Sequence, residues 1–196
     1  MNLDELREAI ASGDPGRARP ALARLVDVPA EQAEPLLLLG LQQSDLLMRQ
    51  LSCSGLGHKP TPAGWAPLVH ALQHDEEVGV RAEAANALVS HGLERAWPLL
   101  LEAFEQDEAW LLRCSVLSAV AEHPDITGER LFALAQLAIA DADGTVRVGG
   151  AEILARVARE AEAGSELAAA ARSALVVLQQ DTDHRVVAAA LNGLQS

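Results

Sequence analysis

The sequence predicts an all-α solenoid of about five stacked helix pairs with a cap helix at each end. Three observations predict it. Of the 196 residues 49% are hydrophobic, which rules against disorder. The apolar residues are mostly Ala and Leu, with no Tyr, two Phe and three Trp, and that mix favours helix over strand. A fixed period also runs through the chain: Arg49, Arg81 and Arg113 are 32 residues apart, and Arg147 follows after 34. Trp65 and Trp97 share the spacing of 32, as do His91 and His123. Asp75, Asp107 and Asp141 each stand six positions before a repeat arginine. Within a period, apolar or small residues recur at helical spacing, as in Val78, Ala82, Ala85 and Leu88, or Val148, Ala151, Leu154 and Val157.

In chain order, the pattern predicts a cap helix over 2–12 and then pairs 14–27 with 30–42, and 45–57 with 63–73. Pairs 77–91 with 94–105, 109–122 with 127–140, and 144–160 with 164–179 follow, then a cap helix over 183–194. No linker interrupts the stack, so one domain over 1–196 is expected: cap 1–13, helix pairs 14–180, cap 181–196. Each second helix is expected to run from a proline near its start to a polar end, as from Pro98 to Gln106, since proline is tolerated in a first turn. Glycine breaks such as His91–Gly92 and Asp143–Gly144 separate helices. A pair of this length cannot bury its own apolar stripe, whereas stacked neighbours share one core. The alanines at 84, 85, 87 and 188–190 permit close helix approach. Gly149–Gly150 inside a helix costs about 1 kcal/mol per glycine relative to alanine, which close contact with a neighbouring helix would explain.

Three segments, VRAEAANAL (80–88), MRQLSCSGLG (48–57) and DTDHRVVAAALNGL (181–194), resemble the HEAT-repeat family, specifically its short phycocyanobilin-lyase-like repeats. The resemblance covers about residues 30–196 and implies a right-handed α-α superhelix. It also implies a ladder between repeats, built from an Asp before each first helix and an Arg within it. The matching positions are Asp75 with Arg81, Asp107 with Arg113, and Asp141 with Arg147. Gln43 and Val187 depart from the pattern, so an incomplete ladder is expected at both ends. Members of the family include adaptors, subunits of bilin-attaching lyases and proteins that dismantle light-harvesting antennae. The resemblance therefore implies an architecture more than an activity.

Candidate site residues fall where repeats differ, along the second helices between His70 and Ile139. In solenoids of this kind the second helices line the concave surface, and His70, Gln73, His74, Glu102 and Glu105 are not needed there for packing. The segment LFALAQLAIA (131–140), which carries Phe132 and Gln136, is apolar on nearly every side and so is either buried or covered by a partner. These residues predict a concave groove with a mixed acidic and apolar lining that receives another protein. His70 and His74 share a helix face, but no third ligand stands at metal spacing, so no metal site is expected. His91 and His123, with Lys59 at the equivalent place, close first helices and suit their dipoles. Trp65 and Trp97 lie on apolar faces and are expected to pack between repeats.

The formal net charge of −13 repels phosphate backbones, so no nucleic-acid partner is expected. It serves solubility, or complements a partner with a basic surface. No apolar run reaches the roughly 20 residues needed to span a bilayer, and the acidic start MNLDELREAI does not resemble a secretory signal. Cys53 and Cys114 are isolated thiols, which suits a reducing cytoplasm. No nucleophile–base set or phosphate-binding loop is found, so no catalytic residue and no cofactor are expected. A non-enzymatic adaptor is the expected function, with a bilin lyase-like or chromophore-removing subunit acting on phycobiliproteins as the alternative.

Overall fold

A computed structural model describes residues 2–195; Met1 and Ser196, the outermost residues of the expected caps, lie outside the described residues. Among these, the structure holds twelve α-helices, a single 3-10 turn and no strand. The helices are α1 (Leu3–Ala11), α2 (Pro15–Ala23), α3 (Ala30–Leu41), α4 (Leu46–His58), α5 (Trp65–His74) and α6 (Val78–Ser90). There follow α7 (Leu93–Gln106), α8 (Trp110–Ala121), α9 (Gly128–Ile139), α10 (Gly144–Glu160), α11 (Glu166–Leu178) and α12 (His184–Gln195). The 3-10 turn, Arg24–Asp27, completes the helical stretch expected over 14–27. Arrangement as helix pairs between terminal helices is the all-α repeat architecture that the sequence periodicity predicts.

The chain divides into two compact units, with the boundary between Val116 and Leu117 inside α8. In the first unit α1 packs on α2 and α3, the first helices α4 and α6 pack side by side, and α5 and α7 pack on α6. Ile10, Leu25, Leu36, Leu37, Met48, Leu56, Leu68, Leu88, Leu100 and Leu112 form its fully buried core. In the second unit α10 is central, packed against α9, α11 and α12, with Leu134 and Leu154 fully buried. Small residues set how closely these helices pass. A Cβ on Gly57 of α4 would lie 2.9 Å from the Cα of Ala87 in α6, so only glycine fits that crossing. Gly150 is likewise pressed against α9, where a Cβ would lie 2.9 Å from Ala138 Cβ. That contact accounts for a glycine inside a helix.

Pro67 lies in the first turn of α5 as expected, but two other prolines of the second helices lie deeper. Pro98 is inside α7, which begins at Leu93, and Pro35 is inside α3, which begins at Ala30. Pro35 cannot donate to the Glu31 carbonyl, which lies exposed in the first turn of α3 where water can serve it.

The arginine–aspartate ladder also differs from the expected pairing. The guanidinium groups of Arg49, Arg81 and Arg147 reach forward to the aspartate of the next repeat. Arg49 donates through Nε and Nη2 to Asp75 at 2.8 and 3.1 Å, and Arg81 does so to Asp107 at 2.7 and 3.2 Å. In the second unit Arg147 holds Asp181 in the same way at 2.8 and 2.9 Å. The contact to the residue six positions earlier is to its backbone: Arg81 Nη1 donates to the Asp75 carbonyl at 2.9 Å, and Arg147 Nη1 to the Asp141 carbonyl at 3.0 Å. Arg113 Nη1 reaches the Asp107 carbonyl at 2.7 Å. Since only a carbonyl is required there, Gln43 serves Arg49 as well as an aspartate would, at 3.1 Å. The ladder therefore does not stop at Gln43. It continues to a further rung, Arg19 on Asp45, at 3.1 and 2.6 Å.

A second set of rungs joins the far ends of the first helices. Lys59 Nζ donates to the Val26 carbonyl at 2.8 Å, and His91 Nε2 to the Leu56 carbonyl at 3.0 Å. In the second unit Arg156 Nη1 donates to the carbonyl of Ala121, the last residue of α8. The His91 side chain thus serves the end of the preceding first helix, α4, whose last-turn carbonyls lack intrahelical donors.

Candidate partner-binding groove

The second helices of the first unit end beside the ladder, and their ends border two clefts, the second of them broad and shallow. The first, about 500 Å³, has Leu38, Leu41, Pro67 and Ala71 as its apolar lining. Gln42, Arg49, His70, His74, Asp75 and Glu76 supply its polar lining. The second, about 550 Å³, is lined by Gln73, His74, Asp75, Arg81, Gln106, Asp107, Glu108 and Ala109. His74 and Asp75 belong to both, so the two clefts meet along one groove from α3 across α5 to α7.

Local chemistry fixes the groove's shape. Asp75 and Asp107 each accept an amide two residues ahead, Glu77 at 3.0 Å and Ala109 at 2.8 Å, which tightens the turn into the next first helix. The forks of Arg49 and Arg81 then tie those turns to the preceding repeat. Arg49 is 8% exposed, so its pair with Asp75 is largely shielded from water. The Asp75 hydrogen bond, helped by its charge, raises the Arg49 guanidinium above its ordinary value and keeps it cationic. Each lining arginine is matched by an aspartate, leaving the carboxylates of Glu76 and Glu108 in excess. Glu76 stands 3.7 Å from Arg49 with its side chain 83% exposed, so its charge faces solvent.

The expected site residues divide between the units. His70 lines the first cleft, His74 lines both, and Gln73 lines the second. The two imidazoles meet edge to face, with centroids 4.9 Å apart. Glu102 and Glu105 are exposed on α7, just before the cleft-lining Gln106. Phe132 and Gln136 lie on α9 in the second unit, Phe132 half-buried and Gln136 exposed. On α9 the apolar residues divide between buried and outward positions, with Phe132, Leu137 and Ile139 half-buried. Leu131, Leu134, Ala135 and Ala138 are buried, while the outward positions are Ala133, Gln136 and Ala140. Alanine counts as apolar in sequence but exposes only a methyl group. Trp65 is 8% exposed beneath the Arg95 guanidinium, 3.8 Å from its ring centroid, and so packs against the following repeat; Trp97 is half-buried.

The apolar lining comes from residues that sequence reasoning passed over: Leu38, Leu41, Pro67 and Ala71. A signal for two of them was present. With the period of 32, His70 and Glu102 correspond to Leu38, and Gln73 and Glu105 correspond to Leu41. The same two face positions therefore change from apolar on α3 to polar on α5 and acidic on α7. No group of three His, Cys, Asp or Glu side chains among the described residues is placed to hold a metal ion. No helix among them is long and apolar enough to cross a membrane.

No curated protein matches the chain in sequence. A family model of HEAT repeats does match residues 33–121, a stretch that includes α4 to α7 and both clefts. The arginine forks and stacked helix pairs of this stretch agree with that match, and residues 33–121 therefore carry HEAT repeats.

Proposed function

We propose that the protein is a non-enzymatic scaffold that holds a partner protein on the second-helix face of its first unit. The observation that carries this reading is the groove from α3 to α7, apolar where Leu38, Leu41 and Ala71 line it and acidic at Glu76 and Glu108. HEAT repeats commonly serve protein interaction, and stacked helix pairs present extended surfaces suited to it. The ladder beneath the groove keeps it preformed, which lowers the ordering cost of binding. A bilin-handling subunit is supported only by the resemblance of residues 48–57, 80–88 and 181–194. A change in bilin absorbance on mixing with the protein would favour that alternative.

In-cell photo-crosslinking tests the scaffold reading. A photoreactive amino acid placed at His70, Gln73 or Glu105 is expected to give adducts with a discrete partner. Charge reversal at Glu102 and Glu105 is expected to reduce those formed from His70 and Gln73. Adducts formed only from first-helix positions such as Leu51, or adducts indifferent to both reversals, would remove the groove from the function.

A further inference from the structure

The groove has a direction, because equivalent positions in successive repeats do not share one chemistry. Its α3–α5 end carries the apolar side chains of Leu38, Leu41, Pro67 and Ala71, with the charged Arg49, Asp75 and Glu76 beside them. Its α5–α7 end is lined by polar and charged groups, Gln73, His74, Gln106 and Glu108 among them. The exposed α7 face just before Gln106 adds Glu102 and Glu105. Both lining cations, Arg49 and Arg81, are already held in two-pronged contact by Asp75 and Asp107. The acidic end thus offers carboxylates in excess and no uncommitted lining cation.

From this asymmetry we infer that the groove receives a partner segment with an apolar side chain at one end and Lys or Arg at the other. The apolar residue fills the α3–α5 cleft, and the basic residues lie towards α7. The inference rests on the scaffold reading and narrows it to one class of segment.

Charge complementarity selects a basic segment over an acidic one, and an acidic rim on a chain of net charge −13 repels a phosphate backbone. Size sets the spacing. Adjacent second helices touch only lightly, so they stand at the upper end of the about 8–10 Å of packed helices or beyond it, and three of them span about 20 Å. Extended chain advances about 3.3 Å per residue, so about five or six residues cover that span. The apolar anchor and the nearest basic residue should therefore be about three to five positions apart.

A phage-displayed random dodecapeptide library panned on the full chain tests this. Parallel selections use His70→Trp, which blocks the cleft from an exposed position, and Glu76→Gln/Glu108→Gln, which removes the excess charge. Melting curves first establish that both variants are folded. The expected consensus is an apolar residue separated by three to five positions from Lys or Arg. A labelled consensus peptide should lose measurable affinity for His70→Trp and bind the charge variant at least tenfold more weakly. A consensus without basic residues that still depends on the cleft would overturn the inference while leaving the scaffold reading intact. No consensus, or one indifferent to His70→Trp, would overturn it as well. The scaffold reading would then stand or fall on the crosslinking result.

Discussion

Arg81 belongs to two repeats at once. Its Nε and Nη2 hold the Asp107 carboxylate of the repeat ahead, while Nη1 holds the Asp75 carbonyl of its own. The guanidinium has the planar fork this geometry needs, and an ammonium does not. The pair is mostly shielded, with side chains 18% and 14% exposed. Arg81→Ala should therefore destabilise the protein by about 3–5 kcal/mol, because it leaves Asp107 uncompensated. Arg81→Lys should cost less, about 1.5–3 kcal/mol. In a urea-denaturation cycle, Arg81→Ala/Asp107→Ala should cost clearly less than the sum of the two single changes. Additive losses would mean that the fork contributes no coupling.

Acid should weaken the second unit through its aspartates. The hydrogen bond from Arg147 holds the Asp181 carboxyl below its usual 3.8, and the Arg185 side chain holds Asp183 down to about 2. A carboxyl with a depressed folded pKa contributes stability above its unfolded value and loses that contribution as pH falls through the folded one. Melting temperatures followed by circular dichroism should show little of this effect from pH 7 to about 5, then a steepening fall between about pH 4 and 2. Arg147→Gln should melt lower at pH 7 and lose less between those two acid values.

The two thiols should react in a fixed order. Cys53 is fully buried, and burial pushes its pKa up to about 12, whereas Cys114 is only half-buried. Since the thiolate is the reactive form, a thiol reagent at pH 8 should modify Cys114 first and reach Cys53 only as the protein unfolds. Equal rates in the folded protein would show that the first unit opens around α4.

Gly57→Ala tests the close crossing of α4 and α6. The added Cβ would meet the Ala87 Cα and Cβ at 2.9 and 3.0 Å, so a helix must shift rather than a flexible side chain. The cost should be about 1–3 kcal/mol by denaturant titration, despite alanine's better helix propensity. A neutral or stabilising effect would mean that the crossing is slack.

The helices were legible because alanine and leucine at helical spacing leave little choice, and every expected helix recurs close to its predicted bounds. The repeat register was legible from Arg49, Arg81 and Arg113. The direction of the fork was not, because around Arg81 the sequence shows an aspartate six positions behind, Asp75, as plainly as one 26 ahead, Asp107. The rung from Arg19 to Asp45 was hidden for a related reason: Arg19 precedes Arg49 by 30 residues, outside the common period. Glu102 and Glu105 were visible as surplus polar positions on the second helices, but the lining carboxylates Glu76 and Glu108 were not, since they stand in the turns after α5 and α7. Its apolar lining was not, since Leu38 and Leu41 resemble core leucines until the structure leaves them half-exposed.

The forward reach of the fork makes each repeat an exchangeable cassette. Arg49 to Asp75 and Arg81 to Asp107 span the same 26 residues. Excising the 32 residues 58–89 would therefore present Asp107 to Arg49 at the separation at which it now meets Asp75. The connection is written once per repeat and understood by any neighbour in frame. Whole-period duplications and losses can accordingly lengthen or shorten the chain without a new joint being invented, while the outward positions of each copy remain free to diverge.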